Sequence, residues 1–321
     1  MEYSKFNDII KLAKNILILS HVNPDGDTLG SMCGLYSLIL KNYKKKCDMA
    51  VISKVPDVYL HLPHINEVKN IDKIDKSREY DLVINVDVAS IERVCDGKIL
   101  FEKAKNTINI DHHKTNNGYA QLNYVDADAS STGEVLFGIF NKIKWDIDLD
   151  CAICLYTAIL TDTGSFRFDN TKPSTFECAA KLVEIGVNPS DIYKKVYESD
   201  SKTLVMFQAY CMSKAKFLSD DKIAYTTVYK KDMERFSAGE ECLEGLTEKL
   251  RAIVTTRIAF VAKEMKSGGT KVSMRSKFAD VAEISSVFGG GGHKFAAGCT
   301  IKAPIEEAVK LILKEIQKRE I

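Results

Sequence analysis

Apolar runs and amphipathic stretches alternate through the first half of the chain. NILILSHV (15–22), CDMAVIS (47–53), YDLVINVDV (80–88) and TINID (107–111) are apolar enough for strands buried on both faces, as parallel strands are. GSMCGLYSLILK (30–41), between the first two, has the mixed pattern of a helix. In SSTGEVLFGIFNKIK (130–144), Ser131 is followed three residues later by Glu134, the spacing that marks a helix start. Strand, helix and strand in this repetition predict an α/β domain with a doubly wound, mostly parallel sheet.

From about Asp148 to Phe217 helical patterns dominate, punctuated by Gly164, Pro173, Gly186 and Pro189. A new strand-like run, KIAYTTVYKK (222–231), then opens a second, smaller α/β unit. IAFVAKEM and TKVSMRSK, joined by Lys266-Ser267-Gly268-Gly269, predict a hairpin. A last helix is expected to start near Pro304, with Ile305, Ala308, Val309, Ile312, Leu313 and Ile316 on one face. The expected organisation is a first domain over 1–185, a helical linker over 186–218 and a second domain over 219–321.

A length of 321 residues leaves room for two cores. The 45 basic and 44 acidic residues nearly cancel, whereas proteins that track long nucleic acids carry a basic excess. A nucleic-acid ligand would therefore be short, and no long duplex is expected as a partner. No apolar stretch approaches the ~20 residues of a membrane span, and MEYSKFNDIIKLAKN lacks a secretory core, so a soluble cytoplasmic protein is expected. Nine irregularly spaced cysteines predict reduced thiols; Cys151 and Cys154, a lone C-x-x-C in an apolar helical stretch, read as core residues. The sequence leaves homodimerisation open.

Open α/β sheets bind ligands beyond the carboxyl ends of their strands, so polar residues that directly follow buried strands should converge there. NILILS is followed by His21, Asp25 and Asp27; DLVIN by Asp87; and TINI by Asp111, His112 and His113. Asp162 comes at the end of the apolar helical stretch TAIL. Carboxylates gathered so closely repel one another unless cations neutralise them, and mixed imidazole and carboxylate donors suit manganese or a similar divalent metal. Two such ions, bridged by a carboxylate and a hydroxide, would put a nucleophile and a Lewis acid on one phosphoryl group. Each segment taken singly has an ordinary reading as well, Asp27 as a helix cap for example.

The second domain contributes SSVFGGGGHKFAAG. Gly289, Gly290, Gly291 and Gly292 are costly to order, which suits a backbone that approaches a ligand or forms an anion nest, with His293 as a further donor. Arg275, on a strand pattern, offers a bidentate fork for phosphate.

HVNPDGDTLGS, NVDVAS, DHHK and LTDTGSF resemble, in order, the four motifs of the DHH phosphoesterase family, and GGGGHKFAAG is similar to the hallmark of its associated C-terminal domain. Together they cover almost the full chain and resemble the stand-alone branch of oligoribonucleases that also dephosphorylate 3′-phosphoadenosine 5′-phosphate. The resemblance implies two manganese ions, one held by His21 and Asp25, the other by Asp27, His112 and Asp162, with Asp87 bridging. It implies that His113 faces the substrate phosphate, with Asp111 orienting the histidines. It also implies that Arg275, Gly289 to Gly292 and His293 hold phosphate, with the site in the cleft between the two domains. The implied reaction is attack of a metal-bridging hydroxide on phosphorus, releasing nucleoside 5′-monophosphates from short oligoribonucleotides.

The motifs do not separate this activity from opening of cyclic di-AMP or cleavage of linear dinucleotides. A manganese-dependent pyrophosphatase is disfavoured by the GGGGH segment. A non-catalytic nucleotide sensor is disfavoured because every expected metal-binding residue is present. Tyr119, Phe166, Phe168 and Phe288 read as core residues before base-stacking ones, and Arg93 as a candidate phosphate contact.

Overall fold

The structure, a computed structural model, describes residues 3–319 and divides into two compact units, Met1–Ser199 and Asp200–Ile321. The apolar runs of the first half become β1 (Ile16–Leu19), β2 (Asp48–Val51), β4 (Leu82–Val86) and β5 (Asn106–Asp111) of unit 1. Two strands without an apolar run, β3 (Val68–Asn70) and β6 (Leu122–Val125), close the edges, where burial is partial. The sheet order is β3-β2-β1-β4-β5-β6, every neighbouring pair parallel. Strands are added outward on both sides of β1 and β4, so the crevice between these two is the topological switch point.

Among the described residues seven α-helices accompany this sheet: α1 (Tyr3–Leu12), α2 (Gly26–Tyr43), α3 (Lys98–Lys103), α4 (Thr132–Lys142), α5 (Leu149–Asp162), α6 (Pro173–Ile185) and α7 (Pro189–Tyr197). Helix α2 is buried from Gly26 through Ile39, which explains its weak amphipathic contrast. A Cβ at Gly30 would collide with the Cys154 carbonyl, so glycine there lets α2 lie close against α5. Cys151 and Cys154 are fully buried in α5.

Unit 2 begins with α8 (Lys202–Ser213) and holds β7 (Lys216–Leu218), β8 (Ile223–Val228), α9 (Lys230–Phe236), α10 (Leu246–Ala252), β9 (Ile258–Glu264) and β10 (Thr270–Ser276). It ends with α11 (Val281–Ser286), β11 (Gly291–His293), β12 (Ala296–Ile301) and α12 (Ile305–Gln317). The sheet order is β11-β12-β10-β9-β8-β7, with β8 and β9 parallel and the other pairs antiparallel, including the expected hairpin of β9 and β10. Helix α12 buries Ile305, Ala308, Val309, Ile312 and Ile316 in one core with Phe260, Val272 and Met274, while Leu313 is only partly covered. Each fully buried isoleucine there contributes about 1.5–3 kcal/mol. No helix among the described residues is long and apolar enough to cross a membrane.

Candidate metal centre and phosphate-binding residues

The carboxyl ends of β1, β4 and β5 and the end of α5 gather eight aspartate and histidine side chains, His21, Asp25, Asp27, Asp87, Asp111, His112, His113 and Asp162. His21, 6% exposed, follows β1; its Nδ1 lies 2.7 Å from the Val22 carbonyl, a contact that leaves Nε2 facing Asp87 Oδ2 at 3.3 Å. Arg93 Nη2 sits 3.3 Å from the same Nδ1. Burial disfavours a charged His21, but the hydrogen bond and charge of Asp87, the Val22 carbonyl and Asp25 outweigh it and raise its pKa.

Asp25 caps α2 by accepting from Thr28 N at 3.0 Å. Asp27 is not the cap of its own helix. Its carboxylate instead accepts from Thr132 N (2.7 Å) and Gly133 N (2.9 Å), the first N–H groups of α4. Those donors suit a negative charge. Even so, full burial, then the charges of Asp87, Asp162 and Asp25, push the Asp27 carboxyl well above its ordinary value.

Asp87 has φ +59°, a left-handed conformation that a non-glycine residue adopts at a cost of about 1–3 kcal/mol. Its N–H donates to the Ile110 carbonyl at 2.9 Å, which helps to hold it there. Thr28 Oγ1 donates to Asp87 Oδ2 (2.6 Å) and lies 2.7 Å from His21 Nε2, while Thr132 Oγ1 donates to Asp87 Oδ1 (3.1 Å). Burial raises the Asp87 pKa, yet His21, Thr28 and His112 outweigh it and hold it below the ordinary value.

His112 Nε2 stands between three carboxylates, 3.7 Å from Asp27 Oδ2, 3.7 Å from Asp87 Oδ1 and 3.6 Å from Asp162 Oδ2. Burial, then Asp87 and Asp25 against the opposing His112 and His113, lifts Asp162 to about 6. Asn170 Nδ2 fixes Asp162 through its carbonyl (3.1 Å) and Oδ2 (3.3 Å), and also donates to the Ser130 carbonyl at 2.9 Å. Beyond Asp162 the chain turns through Gly164, Ser165 and Phe166, all at positive φ; a side chain at Gly164 would strike the Phe168 ring.

His113 Nδ1 bonds Asp111 Oδ1 at 2.7 Å, and Asn116 Nδ2 donates to Asp111 Oδ2 at 2.6 Å. The Asp111 hydrogen bond leads, with the Asp111, Asp87 and Asp162 charges, in raising His113 to about 9 against the effect of burial. The potential ligand atoms fall into three mutually close sets: His21, Asp25 and Asp87; Asp27, His112 and Asp162; and Asp87, His112 and His113, each within 4.8 Å. Four carboxylates, two of which, Asp27 and Asp162, have raised pKa values, stand beside imidazole nitrogens and form a donor set that fits divalent cations.

In unit 2 the register pairs Arg275 with Ala296 and Ala296 with His293, so Arg275 and His293 share one sheet face two strands apart. Arg275 Nε donates to Glu248 Oε1 at 2.7 Å. The arginine lines a cavity of about 480 Å³ with Ser273, Lys263, Lys271, Glu240 and Glu248. The glycine segment is not a free nest throughout. Gly289 N and Gly290 N donate to the Ser286 and Ser285 carbonyls (3.0 Å each), where they complete the end of α11, while Gly291, Gly292 and His293 form the exposed edge strand β11. A Cβ at Gly290 would collide with the Gly298 carbonyl and Cys299, so this position needs glycine for close approach.

Three residues at the metal centre escaped the sequence reading: Thr28, Asn116 and Asn170. Thr28 carried a signal, since it lies three residues after Asp25 inside the first motif. Thr132, at the helix start marked by Ser131, was legible first as part of a cap and second as a helper of the site, and it donates to Asp87; the two asparagines carried no periodic signal. Of the aromatic candidates, Tyr119 packs on Phe101, Phe166 stacks on Phe176, Phe288 packs on the unit 2 core, and Phe168 is 55% exposed.

Residues 15–159 match the DHH family, N-terminal domain, and residues 220–319 match the DHHA1 domain. The chain is 29% identical over 295 residues to the bifunctional oligoribonuclease and PAP phosphatase NrnA of Bacillus subtilis (strain 168), covering 91% of each chain. It is 28% identical over 306 residues to the protein of the same name from Thermus thermophilus, covering 94% of this chain and 89% of that one. The crystal structure of an exopolyphosphatase-related protein from Bacteroides fragilis is similar at TM-score 0.90 and 26% identity, over 98% of this chain and 95% of that one.

Proposed function

From the premise that the chain belongs to the DHH family of phosphoesterases, with a DHH domain followed by a DHHA1 domain, we propose that it hydrolyses short oligoribonucleotides to nucleoside 5′-monophosphates. In the same reading it dephosphorylates 3′-phosphoadenosine 5′-phosphate to AMP, with manganese as the metal. The observation that carries the reading is the position of His112 Nε2, 3.6–3.7 Å from Asp27, Asp87 and Asp162. The names of the Bacillus subtilis and Thermus thermophilus relatives support the choice of substrates. Nine unpaired cysteines support a reduced, cytoplasmic setting.

In this proposal His21 and Asp25 hold one ion, Asp27, His112 and Asp162 the other, and Asp87 both. Two bound divalent ions supply a hydroxide at neutral pH and Lewis acidity toward the phosphoryl oxygens. The protein's own groups do the rest. The Asp27 hydrogen bonds to α4 and the Thr28 and Thr132 hydroxyls on Asp87 fix the carboxylates before any ligand arrives. His113, kept protonated at neutral pH by Asp111, presents positive charge to a phosphoryl oxygen as negative charge develops. Arg275, Gly291, Gly292 and His293 bind substrate phosphate, Arg275 by exchanging Glu248 for the ligand, while Gly289 and Gly290, whose N–H groups complete α11, set the position of that strand.

The test is chromatographic product analysis with purified protein, manganese and four substrates offered separately: a 5′-phosphorylated diribonucleotide, 3′-phosphoadenosine 5′-phosphate, cyclic di-AMP and pyrophosphate. Asp87→Ala controls for contaminating nucleases. Mononucleotides from the first and AMP from the second, both absent in the variant, are expected. Turnover of cyclic di-AMP alone, or of pyrophosphate alone, would replace the proposed substrates.

A further inference from the structure

Three asparagines stand in register on consecutive strands of the unit 1 sheet: Asn85 on β4 pairs with Asn109 on β5, and Asn109 with Asn123 on β6. Paired residues share a face of the sheet, and the neighbouring positions Leu17, Leu19 and Val83 on that face are apolar and buried. Asn85 and Asn109 are fully buried as well. Beside them lies Tyr119, whose loop Asn123 fixes by accepting from Ala120 N (3.2 Å) and donating to the Ala120 carbonyl (2.7 Å). Asn85 Nδ2 donates to the Tyr119 hydroxyl at 3.2 Å, and Asn109 Oδ1 is 2.8 Å from it. The hydroxyl in turn donates to the Val88 carbonyl at 2.9 Å, and that carbonyl also accepts from Asn116 Nδ2 at 3.1 Å.

A hydroxyl has one proton, which cannot serve both Val88 and Asn109. With the Asn109 amide turned end for end the count closes: both asparagines donate to the Tyr119 oxygen, and its proton is committed to the Val88 carbonyl. Asn109 Nδ2, otherwise buried without a partner, then gains one. Asn85 Oδ1 stays buried and unpartnered, a cost to the fold that packing alone does not explain. The bond to Val88 accounts for it. Val88 follows Asp87, which has φ +59° and donates its own N–H to the Ile110 carbonyl. Bonds at the Asp87 N–H and at the Val88 carbonyl bracket this left-handed turn from both sides, which keeps a strained backbone from relaxing. We propose that Tyr119 is a positioning residue of the metal centre, oriented by Asn85 and Asn109, that holds Asp87 where its carboxylate reaches both ions. The inference rests on the proposed role of Asp87 and extends it to residues that touch neither metal nor substrate.

The test measures manganese affinity by competition with a fluorescent chelator, on the full chain and well below the melting temperature of each variant. Tyr119→Phe keeps the ring against Phe101 and removes only the hydroxyl. It should weaken manganese binding by about tenfold or more and lower kcat by a similar factor, with KM for a 5′-phosphorylated diribonucleotide unchanged within about twofold. Tyr80→Phe is the control. The Tyr80 hydroxyl donates to Asp48 Oδ2 at 3.0 Å at the amino end of the same sheet, and its loss should leave affinity and kcat unchanged. Asn85→Ala, which removes one donor to the Tyr119 oxygen, should weaken manganese by about threefold and gives a second route if Tyr119→Phe does not fold. A lower melting temperature with unchanged manganese affinity makes the hydroxyl a structural group only and overturns the inference, as does an equal loss of affinity in Tyr80→Phe. If the unaltered protein binds no manganese, the proposed activity fails and the inference with it. Binding and turnover that persist undiminished in Tyr119→Phe sink the inference alone.

Discussion

The two ends of the parallel sheet in unit 1 treat their aspartates in opposite ways. At the amino end, Asp81 accepts from Lys105 Nζ and from the N–H groups of Asn15 and Lys14, each at 3.0 Å, and these bonds lower its carboxyl to about 2. At the carboxyl end, Asp27 and Asp162 are pushed up by burial and by neighbouring carboxylates, and only Asp87 is held down, by its histidines and Thr28. One end is satisfied by the chain itself. The other is built from groups whose neutralising partner must come from outside, so its geometry serves binding at the expense of the metal-free fold.

The sharpest way to break this contrast is Asp87→Ala. Turnover should fall by about 10³-fold or more, and metal bound per chain, measured by plasma mass spectrometry, should fall with it. A variant that kept both would make the carboxyl end an ordinary structural cluster. Asp111→Asn should lower kcat by about 10–100-fold while metal content stays unchanged, because Asp111 touches His113 and none of the other carboxylates. Equal losses of metal and turnover would instead make Asp111 part of the metal site.

Asp162→Asn removes one charge from the crowded set. In chelator the variant should melt higher than the unaltered protein, by roughly 1 kcal/mol in stability, while losing activity when metal is restored. A lower melting point would show that the repulsion inferred at this end is not present. The smallest effect belongs to the amino end. The folded pKa of Asp81, about 2, lies below the ordinary carboxylate value. Its stabilisation is therefore fully present above about pH 4 and is lost as pH falls through about 2. Asp81→Asn should lower the melting temperature by about 1–3 °C near pH 6, and the difference should vanish between about pH 4 and 2. A gap that persists at pH 2 would assign the effect to packing rather than charge.

Much of the parallel sheet could be read from the chain because β1, β2, β4 and β5 are buried on both faces, and such burial leaves unbroken apolar runs. β3 and β6 could not, because Val-Lys-Asn and Leu-Asn-Tyr-Val are half-covered edge segments with no run to detect. The gathering of His21, Asp25, Asp27, Asp87, His112, His113 and Asp162 was legible for a topological reason. Parallel strands end on one side, so residues that directly follow them meet. Glycine in the second domain was harder to read. The costly run at Gly289 to Gly292 was recognisable, but its division into a helix end and an edge strand depends on where Ser285, Ser286 and β12 lie.

By itself the sequence determined the buried strands β1, β2, β4 and β5, which polar groups follow them, and that those groups have the chemistry of a divalent-metal phosphoesterase. Local pattern suffices there, because period, burial and strand ends are properties of neighbouring residues. Only the tertiary structure decided the supporting bonds. Asp27 looks like a cap for its own helix, yet its carboxylate holds the start of α4, more than a hundred residues away. Thr132 looks like part of a capping sequence and also donates to Asp87, and Asn170 reaches both Asp162 and Ser130. Such partners are fixed by how helices pack across the sheet, and a hydrogen bond of 2.7–3.3 Å between distant segments leaves no periodic trace in the chain.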